Sequence, residues 1–401
     1  MANVSSSNGL EKRPKLRFPG FDEPWKVFKA EELFQNITDK NHPDETVLTI
    51  IQGKGTLPRE QAGRNIHYDD ASLSNYKKVE QGDFIIHLRS FEGGLEMANE
   101  AGIVSPAYTI LRCKRPHSSL FYDAYFHTDE FINHNLSKSV EGIRDGRQIS
   151  YEAFKWLGIP YCEPTEQEKI SNLFAALNER IAKQRDLIEA LKKYKRGVVR
   201  TLLSPKHCSI KNVKWTTSRI GDIGTFIKGA PLSKADISLE GTPFILYGEL
   251  YTTYSEVISN VVRKTQASVD KQYYSQIGDV IIPTSGETPE EISTASCVML
   301  PDIILSGDLN IYRCTQVDGR IMSYILNHVV NDRIARIAQG KSIVHVQAAE
   351  ISKIEITYPD SFSQKTIIAI LAAISDRIDQ SNAELRLLYE LRKALLQKLF
   401  I

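Results

Sequence analysis

The chain has 401 residues, with 50 Lys and Arg against 49 Asp and Glu, a net charge of +1 and 42% hydrophobic residues. These values are typical of a folded globular protein and exclude a collagen-like or wholly disordered chain. The near-neutral charge excludes a strong overall positive field for nucleic acid, so any such surface has to be local. The five cysteines form no C-x-x-C pair, which favours a reducing cytoplasm, and no stretch approaches the roughly 20 apolar residues that cross a membrane.

Five segments follow one another along the chain, and together they predict an α+β fold. Residues 1–15 are polar and predict a disordered tail. Residues 16–163 and 205–360 combine short β-branched runs with turn residues, which is typical of mixed α/β domains. Residues 164–204 and 361–401 carry apolar residues at alternating spacings of three and four, which predicts two long helices. At about 1.5 Å per residue, each helix would extend for roughly 58 Å.

The two predicted helices repeat one another. The segment from Glu166 aligns without gaps to the C-terminal segment, which places Gln167 on Gln364. Neither helix can cover its apolar seam alone, so we predict that the two pair as a coiled coil. Because a domain precedes each helix, antiparallel pairing puts one domain at each end and gives a pseudo-two-fold internal repeat. The predicted seam consists of Phe174, Leu177, Ile181, Ile188, Leu191, Leu371, Ile374, Ile378, Leu385 and Leu388.

The two domains repeat more faintly. Residues 82–86 (GDFII) match residues 278–282 (GDVII), a turn that runs into a β-branched strand. Residues 146–149 (GRQI) match residues 340–343 (GKSI), a glycine and a basic residue before another strand. Each domain is therefore predicted to combine short strands with one or two helices.

In their order and duplication, these features resemble the specificity (S) subunits of type I restriction-modification systems. The resemblance covers essentially the whole chain. It rests on the opening LRFPGF with Trp25, the Gly-Asp strand in each half, the glycine-then-basic turn before a final strand ending in proline, and the Glu/Gln-rich start of each long helix. It implies two target-recognition domains separated by an antiparallel coiled coil, each reading one half of a split, asymmetric DNA sequence.

The resemblance also implies partners and cofactors. We expect the chain to bind double-stranded DNA, methyltransferase (M) subunits and restriction/translocase (R) subunits, in the cytoplasm and without a membrane. We expect S-adenosylmethionine, ATP and Mg on the partner subunits and no cofactor or metal on this chain. A subunit of this kind performs no chemistry of its own.

The sequence lacks the motifs that an enzyme acting on DNA would carry. The nearest match to a P-loop, ARIAQGKS, has Ala335 where the first glycine belongs, and it precedes a predicted strand instead of opening a helix. No Glu-x-Lys of a restriction-type nuclease and no N/D-P-P-Y/F loop of an amino-methyltransferase occurs. The nine histidines include no H-x₃-H pair of the kind that binds zinc.

Residues that read DNA need donors and acceptors on loops held by a rigid sheet. Three loops in each domain fit this description: residues 52–64, 87–92 and 144–148 in the first domain, and residues 228–234, 284–288 and 339–342 in the second. By type, arginine favours guanine, glutamine favours adenine, and lysine or serine more often binds phosphate. The candidate DNA-binding residues are Lys54, Arg59, Arg64, Arg89, Ser90, Arg144, Arg147, Gln148, Lys228, Lys234, Tyr247, Thr284, Ser285, Gln339, Lys341 and Ser342.

Two other functions stay open. The first is a coiled-coil scaffold whose end domains bind proteins, which the near-neutral charge favours. The second is a stand-alone nuclease or methyltransferase, against which the missing motifs argue. A DNA-binding assay with and without methyltransferase subunits separates the scaffold from the specificity subunit.

Overall fold

The computed structural model describes residues 11–62, 70–142, 147–340 and 344–400, without the side chains of residues 70–72. It divides into two compact units. Unit 1 comprises Met1–Arg185 and Ala383–Ile401, and unit 2 comprises Asp186–Asn382. None of the helices in the described part of the chain is long and apolar enough to cross a membrane.

Unit 1 is built on short strands and short helices. Four strands form an antiparallel sheet in the order β3-β10-β7-β8, and three more form an antiparallel sheet in the order β1-β2-β13. The strands are β1 Glu11–Lys12, β2 Trp25–Lys29, β3 Phe34–Ile37, β4 Leu48–Ile51, β5 Gly55–Pro58, β6 Lys77–Val79, β7 Phe84–Ile86, β8 Glu96–Met97, β9 Gly102–Val104, β10 Thr109–Cys113, β11 Val140–Glu141, β12 Gln148–Ile149 and β13 Gly158–Tyr161. The helices are α1 Ala30–Leu33, α2 Ser90–Gly93, α3 Ser119–Phe126, α4 Tyr151–Phe154 and the start of α5 Pro164–Leu202.

Unit 2 has a larger sheet, a five-stranded one in the order β15-β23-β19-β21-β17, beside the three-stranded sheet β18-β16-β22. Its strands are β14 Trp215–Arg219, β15 Gly224–Lys228, β16 Thr242–Ile245, β17 Val257–Ile258, β18 Arg263–Thr265, β19 Asp279–Pro283, β20 Ser285–Gly286, β21 Ser296–Val298, β22 Ile304–Leu305, β23 Leu309–Cys314, β24 Val344–His345 and β25 Glu355–Pro359. Its helices are α6 Glu249–Thr252, α7 Pro289–Ile292, α8 Gly319–His328, α9 Asn331–Ile337, α10 Ala348–Ser352 and most of α11 Ser361–Phe400.

The Gly-Asp strand of each unit is set by the same ion pair. In unit 1, Asp83 is buried and its carboxylate accepts two hydrogen bonds from Arg112, at 2.8 and 2.7 Å. In unit 2, Arg313 donates to Asp279 at 3.0 Å, and Asp279 is equally buried. Each aspartate also accepts a backbone N–H three residues earlier, which closes the turn before the strand. Each strand therefore begins at a fixed place in its sheet.

A cluster of aromatic rings forms the core of unit 1. Phe400, the last described residue of α11, is fully buried. Its ring centroid lies 6.0 Å from that of Trp25, 5.2 Å from that of Phe121 and 6.2 Å from that of Phe174. Such edge, tilted and stacked contacts add to the hydrophobic gain of burying the rings. The start of α5 and the end of α11 thus lie side by side within this core.

In unit 2 the opposite ends of the same helices meet. Val199 and Leu202, near the end of α5, share one buried cluster with Ile367 and Leu371, near the start of α11. Within each unit the two helices therefore run antiparallel. The two long helices are confirmed, whereas the coiled coil along their whole length and the internal repeat stay predictions.

One glutamine holds the start of each long helix. Gln167 accepts a hydrogen bond from the backbone N–H of Ser118, at 3.0 Å, and donates to the Cys162 carbonyl, at 2.8 Å. Gln364 accepts from Asp318 N–H and donates to the Pro359 carbonyl, both at 2.8 Å. Each glutamine thus connects its long helix to the last strand of the unit and to the start of α3 or α8. These are the two residues that the sequence alignment placed on one another.

The predicted seam residues are buried or half-buried. Six of them expose less than a tenth of their surface: Phe174, Leu177, Ile181, Ile188, Leu371 and Ile378. Leu191, Ile374, Leu385 and Leu388 are half-buried.

The predicted disordered tail needs a correction at its end. Residues 1–10 lie outside the described residues, but Glu11–Lys12 is a strand that pairs antiparallel with Trp25–Lys26. The backbone N–H of Leu16 also donates to the Lys398 carbonyl, at 2.9 Å. Backbone pairing does not depend on side-chain polarity, so a polar sequence gave no sign of it. The predicted domain boundaries stay predictions.

Candidate nucleic-acid interface

Three predicted loops of unit 1 meet at the short helix α2. Arg89 directly precedes α2, and its side chain is exposed. The Arg147 guanidinium lies 4.4 Å from the centroid of the Phe91 ring, which is in α2. The Gln52 amide packs on Gly93, where an added Cβ would collide with Gln52 Nε2. One surface therefore presents residues from all three loops.

The loop before α2 is held by its own hydrogen bonds. The backbone N–H of His87 donates to Ser90 Oγ at 2.9 Å, and that of Arg89 donates to His87 Nδ1 at 3.3 Å. Burial lowers the pKa of His87 and so favours the neutral imidazole, and the tautomer protonated at Nε2 accepts this hydrogen bond at Nδ1. Ser90 is fully buried, and its hydroxyl fixes the loop. Its prediction as a DNA-binding residue was wrong, because the side chain does not reach solvent. The exposed side chains of this loop are Leu88 and Arg89.

The turn between β4 and β5 carries Lys54, whose side chain is exposed. Glu96 of β8 is fully buried beneath it, and its carboxylate accepts from Gly53 N–H at 2.6 Å and from Gly55 N–H at 2.9 Å. Asn99 Nδ2 donates to the Lys54 carbonyl at 2.7 Å. The turn is therefore held by Glu96 of β8 and by Asn99, which follows β8 in the chain.

A histidine balances the buried charge of Glu96. His127 Nε2 lies 3.4 Å from Glu96 Oε1, and His127 Nδ1 donates to the Asp123 carbonyl at 2.8 Å. Burial by itself raises the pKa of Glu96, but the hydrogen bonds from His127, Gly53 and Gly55 hold that pKa below its ordinary value. Burial by itself lowers the pKa of His127, yet Glu96 and Asp123 raise it overall. Both groups are thus stabilised in their charged forms.

Two predicted loops of unit 2 also come together. Strand β20 pairs with β24, with Ser285 opposite His345. The backbones of Gln339 and His345 exchange two hydrogen bonds, at 2.9 and 2.8 Å. The Thr284 carbonyl accepts from Val346 N–H at 3.1 Å. Thr284, Ser285 and Gln339 consequently belong to one surface, which also follows the Gly-Asp strand of its unit.

The other three candidates of unit 2 that the structure describes lie in three different elements or loops. Lys228 is exposed at the end of β15 and lies opposite Asn310 in β23, close to where Thr284 N–H donates to the Asp308 carbonyl. Lys234 is exposed in the 3-10 turn Lys234–Asp236. Tyr247 is half-buried and packs against a core cluster, so part of its ring serves packing.

Two further candidates of unit 1 are described by the structure, and four candidates of the chain are not. Arg59 lies in the 3-10 helix Arg59–Ala62 and is half-buried. Gln148 is exposed in β12, opposite Glu141. Four candidates lie outside the described residues, namely Arg64, Arg144, Lys341 and Ser342.

Sequence reasoning did not include Glu96, Asn99 or His127 in the site. The glycines on either side of Lys54 indicated a turn, but the carboxylate that holds it is 43 residues away in sequence. A buried Glu in a two-residue strand has no spacing signal that separates it from a surface Glu. Among the described residues, no group of three or more His, Cys, Asp or Glu side chains is arranged to hold a metal ion.

Comparisons with known proteins bear on the chain's family. Residues 212–388 match the model of the type I restriction modification DNA specificity domain. Residues 212–388 therefore form a type I restriction modification DNA specificity domain. That model covers most of unit 2 and the greater part of α11. No curated protein matches the chain.

Solved structures from type I restriction-modification systems align with almost the whole chain. The S subunit of a type I restriction-modification system from M. genitalium aligns at 16% identity over 97% of this chain and 99% of its own, with a TM-score of 0.55. A chain from work on complex assembly and conformational transition of the type I R-M system aligns at 16% identity over 96% and 98%, with a TM-score of 0.61. The HsdS subunit from Thermoanaerobacter tengcongensis aligns at 16% identity over 97% and 98%, with a TM-score of 0.48. At this identity the first two comparisons show a shared fold.

Proposed function

We propose that this type I restriction-modification specificity protein selects the DNA sequence for its complex and performs no chemistry itself. Each unit reads one half of a bipartite target. The observation that carries this proposal is the specificity-domain match over residues 212–388, joined to the loop surface that follows the Gly-Asp strand in both units. Loops on a rigid sheet are the usual place for residues that read base edges.

The two half-sites are expected to differ in sequence. At the position after the Gly-Asp strand, unit 1 presents Leu88 and Arg89, whereas unit 2 presents Thr284 and Ser285. An arginine side chain suits guanine, whereas a hydroxyl group can donate a hydrogen bond to, or accept one from, the edges of several bases. Different side chains at matching places support an asymmetric target.

Partner subunits complete the proposed function. We propose that methyltransferase and restriction subunits dock on this chain and bring S-adenosylmethionine, ATP and Mg with them, in the cytoplasm. The net charge of +1 supports this, because a chain with so little positive excess gains from the phosphate contacts of its partners.

Lengthening both long helices by one heptad is then expected to widen the spacer between the half-sites.

Mapping of methylated positions tests the proposal. Genomic DNA from cells with and without this gene is compared, and a bipartite methylated sequence is expected only when the gene is present. A near-neutral charge also fits a scaffold that binds only proteins. Methylation that is unchanged by loss of the gene, with no DNA shift by the purified chain in the presence of methyltransferase subunits, favours that scaffold.

Replacing Arg89 with alanine should affect one half-site only. If the guanidinium contacts a base, methylation of targets should lose about 1–3 kcal/mol of discrimination at positions in one half-site. Ser285→Ala is the matched variant in unit 2, and its effect should fall on the other half-site. Methylation rates on a set of duplexes with single base changes measure both. Effects of the two variants on the same half-site would contradict the assignment of one unit to each.

A further inference from the structure

The carboxylate of Glu96 fills the inside of the turn between β4 and β5. It accepts the N–H groups of Gly53 and Gly55, the two neighbours of Lys54 in sequence. Both contacts are short, at 2.6 and 2.9 Å, and the glutamate exposes none of its surface. Hydrogen bonds to an ionised acceptor are stronger than neutral ones. The backbone on either side of Lys54 is therefore fixed by one buried side chain.

A second set of contacts closes the turn from the other side. Asn99 Nδ2 donates to the carbonyls of Lys54 and Thr56, at 2.7 and 2.9 Å. Gly55 has a φ of +77°, and an added Cβ would lie 2.5 Å from the Met97 carbonyl. Only glycine fits this conformation without strain. The turn therefore holds one conformation, and the exposed Lys54 side chain starts from a fixed backbone.

Charge alone would make Glu96 unfavourable at this surface. A carboxylate beneath residues that contact phosphates repels those phosphates, and burial reduces the screening of that repulsion. His127, at 3.4 Å, offsets part of the charge. A favourable contribution of Glu96 to DNA binding therefore has to come from geometry.

We propose that Glu96 is a positioning residue for DNA binding: by holding the N–H groups of Gly53 and Gly55, it directs the Lys54 ammonium to a backbone phosphate of the half-site that unit 1 reads. This inference rests on the proposed function. Lysine is a flexible point charge that loses considerable freedom on binding, so a fixed backbone lowers the entropy cost of the contact.

The salt dependence of DNA binding tests the inference. The full chain, together with its methyltransferase subunit, is titrated with a duplex carrying its mapped methylation target at several NaCl concentrations. The slope of log Kobs against log[NaCl] is negative, and loss of one phosphate contact reduces its magnitude by about 0.9. We expect this change for Lys54→Ala and also for Glu96→Gln, in which one donor of the carboxamide opposes a glycine N–H. The double variant should match either single variant.

A control separates position from charge and stability. Glu166→Gln neutralises another buried carboxylate of unit 1, one that binds Arg17 at the start of α5, and should leave the slope unchanged. Tighter binding by Glu96→Gln with an unchanged slope, or additive effects of Lys54→Ala and Glu96→Gln, would overturn the inference. If Glu96→Gln shows no cooperative thermal unfolding, Asn99→Ala replaces it, because this variant removes the other support of the turn at a half-exposed position. An unchanged slope for Asn99→Ala would overturn the inference equally.

The failure of the inference differs from that of the proposed function. An unchanged slope for Lys54→Ala overturns the inference, while sequence-specific binding by the unaltered protein leaves the proposed function in place. Absence of sequence-specific binding by the unaltered complex overturns both.

Discussion

Replacing Phe400 with alanine is expected to lower the free energy of unfolding by about 3–5 kcal/mol. The ring is fully buried and contacts the rings of Trp25, Phe121, Tyr125 and Phe174. Its loss leaves a cavity among aromatic rings, which cannot collapse into the gap without leaving their rotamers. Urea unfolding of the full chain, followed by the fluorescence of Trp25 and the other tryptophans, measures the change.

Phe362 provides the matched control in the same helix. Its side chain is 79% exposed near the start of α11, so Phe362→Ala should change the free energy of unfolding by less than about 0.5 kcal/mol. Equal effects of the two substitutions would show that the loss at position 400 reflects helix formation and not the aromatic core.

Replacing Glu256 with glutamine is expected to destabilise unit 2 by about 3–5 kcal/mol. Glu256 accepts from Lys195 of α5 and contacts His328 of α8, both at 2.7 Å. Lys195 is buried as well, and its ammonium lies 5.4 Å from the centroid of the Tyr324 ring. Without the carboxylate, the ammonium stays buried without an opposite charge. Glu189→Ala is the control, because its ion pair with Lys192 is exposed on the same helix and should be worth less than about 1 kcal/mol.

The ionisation of Glu256 makes the free energy of unfolding depend on pH. Burial alone raises the pKa of Glu256, but the hydrogen bond to His328 and the charge of Lys195 lower it to about 2 from an ordinary 4.5. Since the folded-state pKa is the lower one, this stabilisation is complete above the ordinary pKa and is lost as the pH falls from about 4.5 towards about 2. Unfolding free energies measured from pH 7 to pH 3 should therefore converge for the unaltered protein and Glu256→Gln. A constant difference across this range would contradict the role of the ionised form.

The long helices were predictable because their apolar spacing is local and was repeated in the chain. The same alignment placed Gln167 on Gln364, and both side chains make matching hydrogen bonds. The alignment of the Gly-Asp strands placed Asp83 on Asp279, and both bind an arginine of a neighbouring strand. Local patterns of this kind are readable because the residues that act together lie near one another in sequence.

Contacts between distant residues were not predictable in the same way. Ser90 is an ordinary loop serine by sequence, and only the fold shows that its hydroxyl faces inward to the His87 N–H. By sequence Lys195 is one of several lysines near the end of a long helix, and its partner Glu256 lies 61 residues away. Glu96 likewise acts on a turn 43 residues earlier. Side-chain direction in short strands and loops depends on packing that a single sequence does not display.

The position of Phe400 in the core of unit 1 has a consequence for biosynthesis. Unit 1 begins the chain, but its aromatic cluster includes residues that are translated after all of unit 2, whose segment is continuous from Asp186 to Asn382. At about 5–20 residues per second, a ribosome needs about 10–40 seconds to add that intervening segment. During this time the faces of Trp25 and Phe121 that Phe400 later covers stay open to solvent or to a chaperone. The unit that emerges first is therefore the one that finishes folding last.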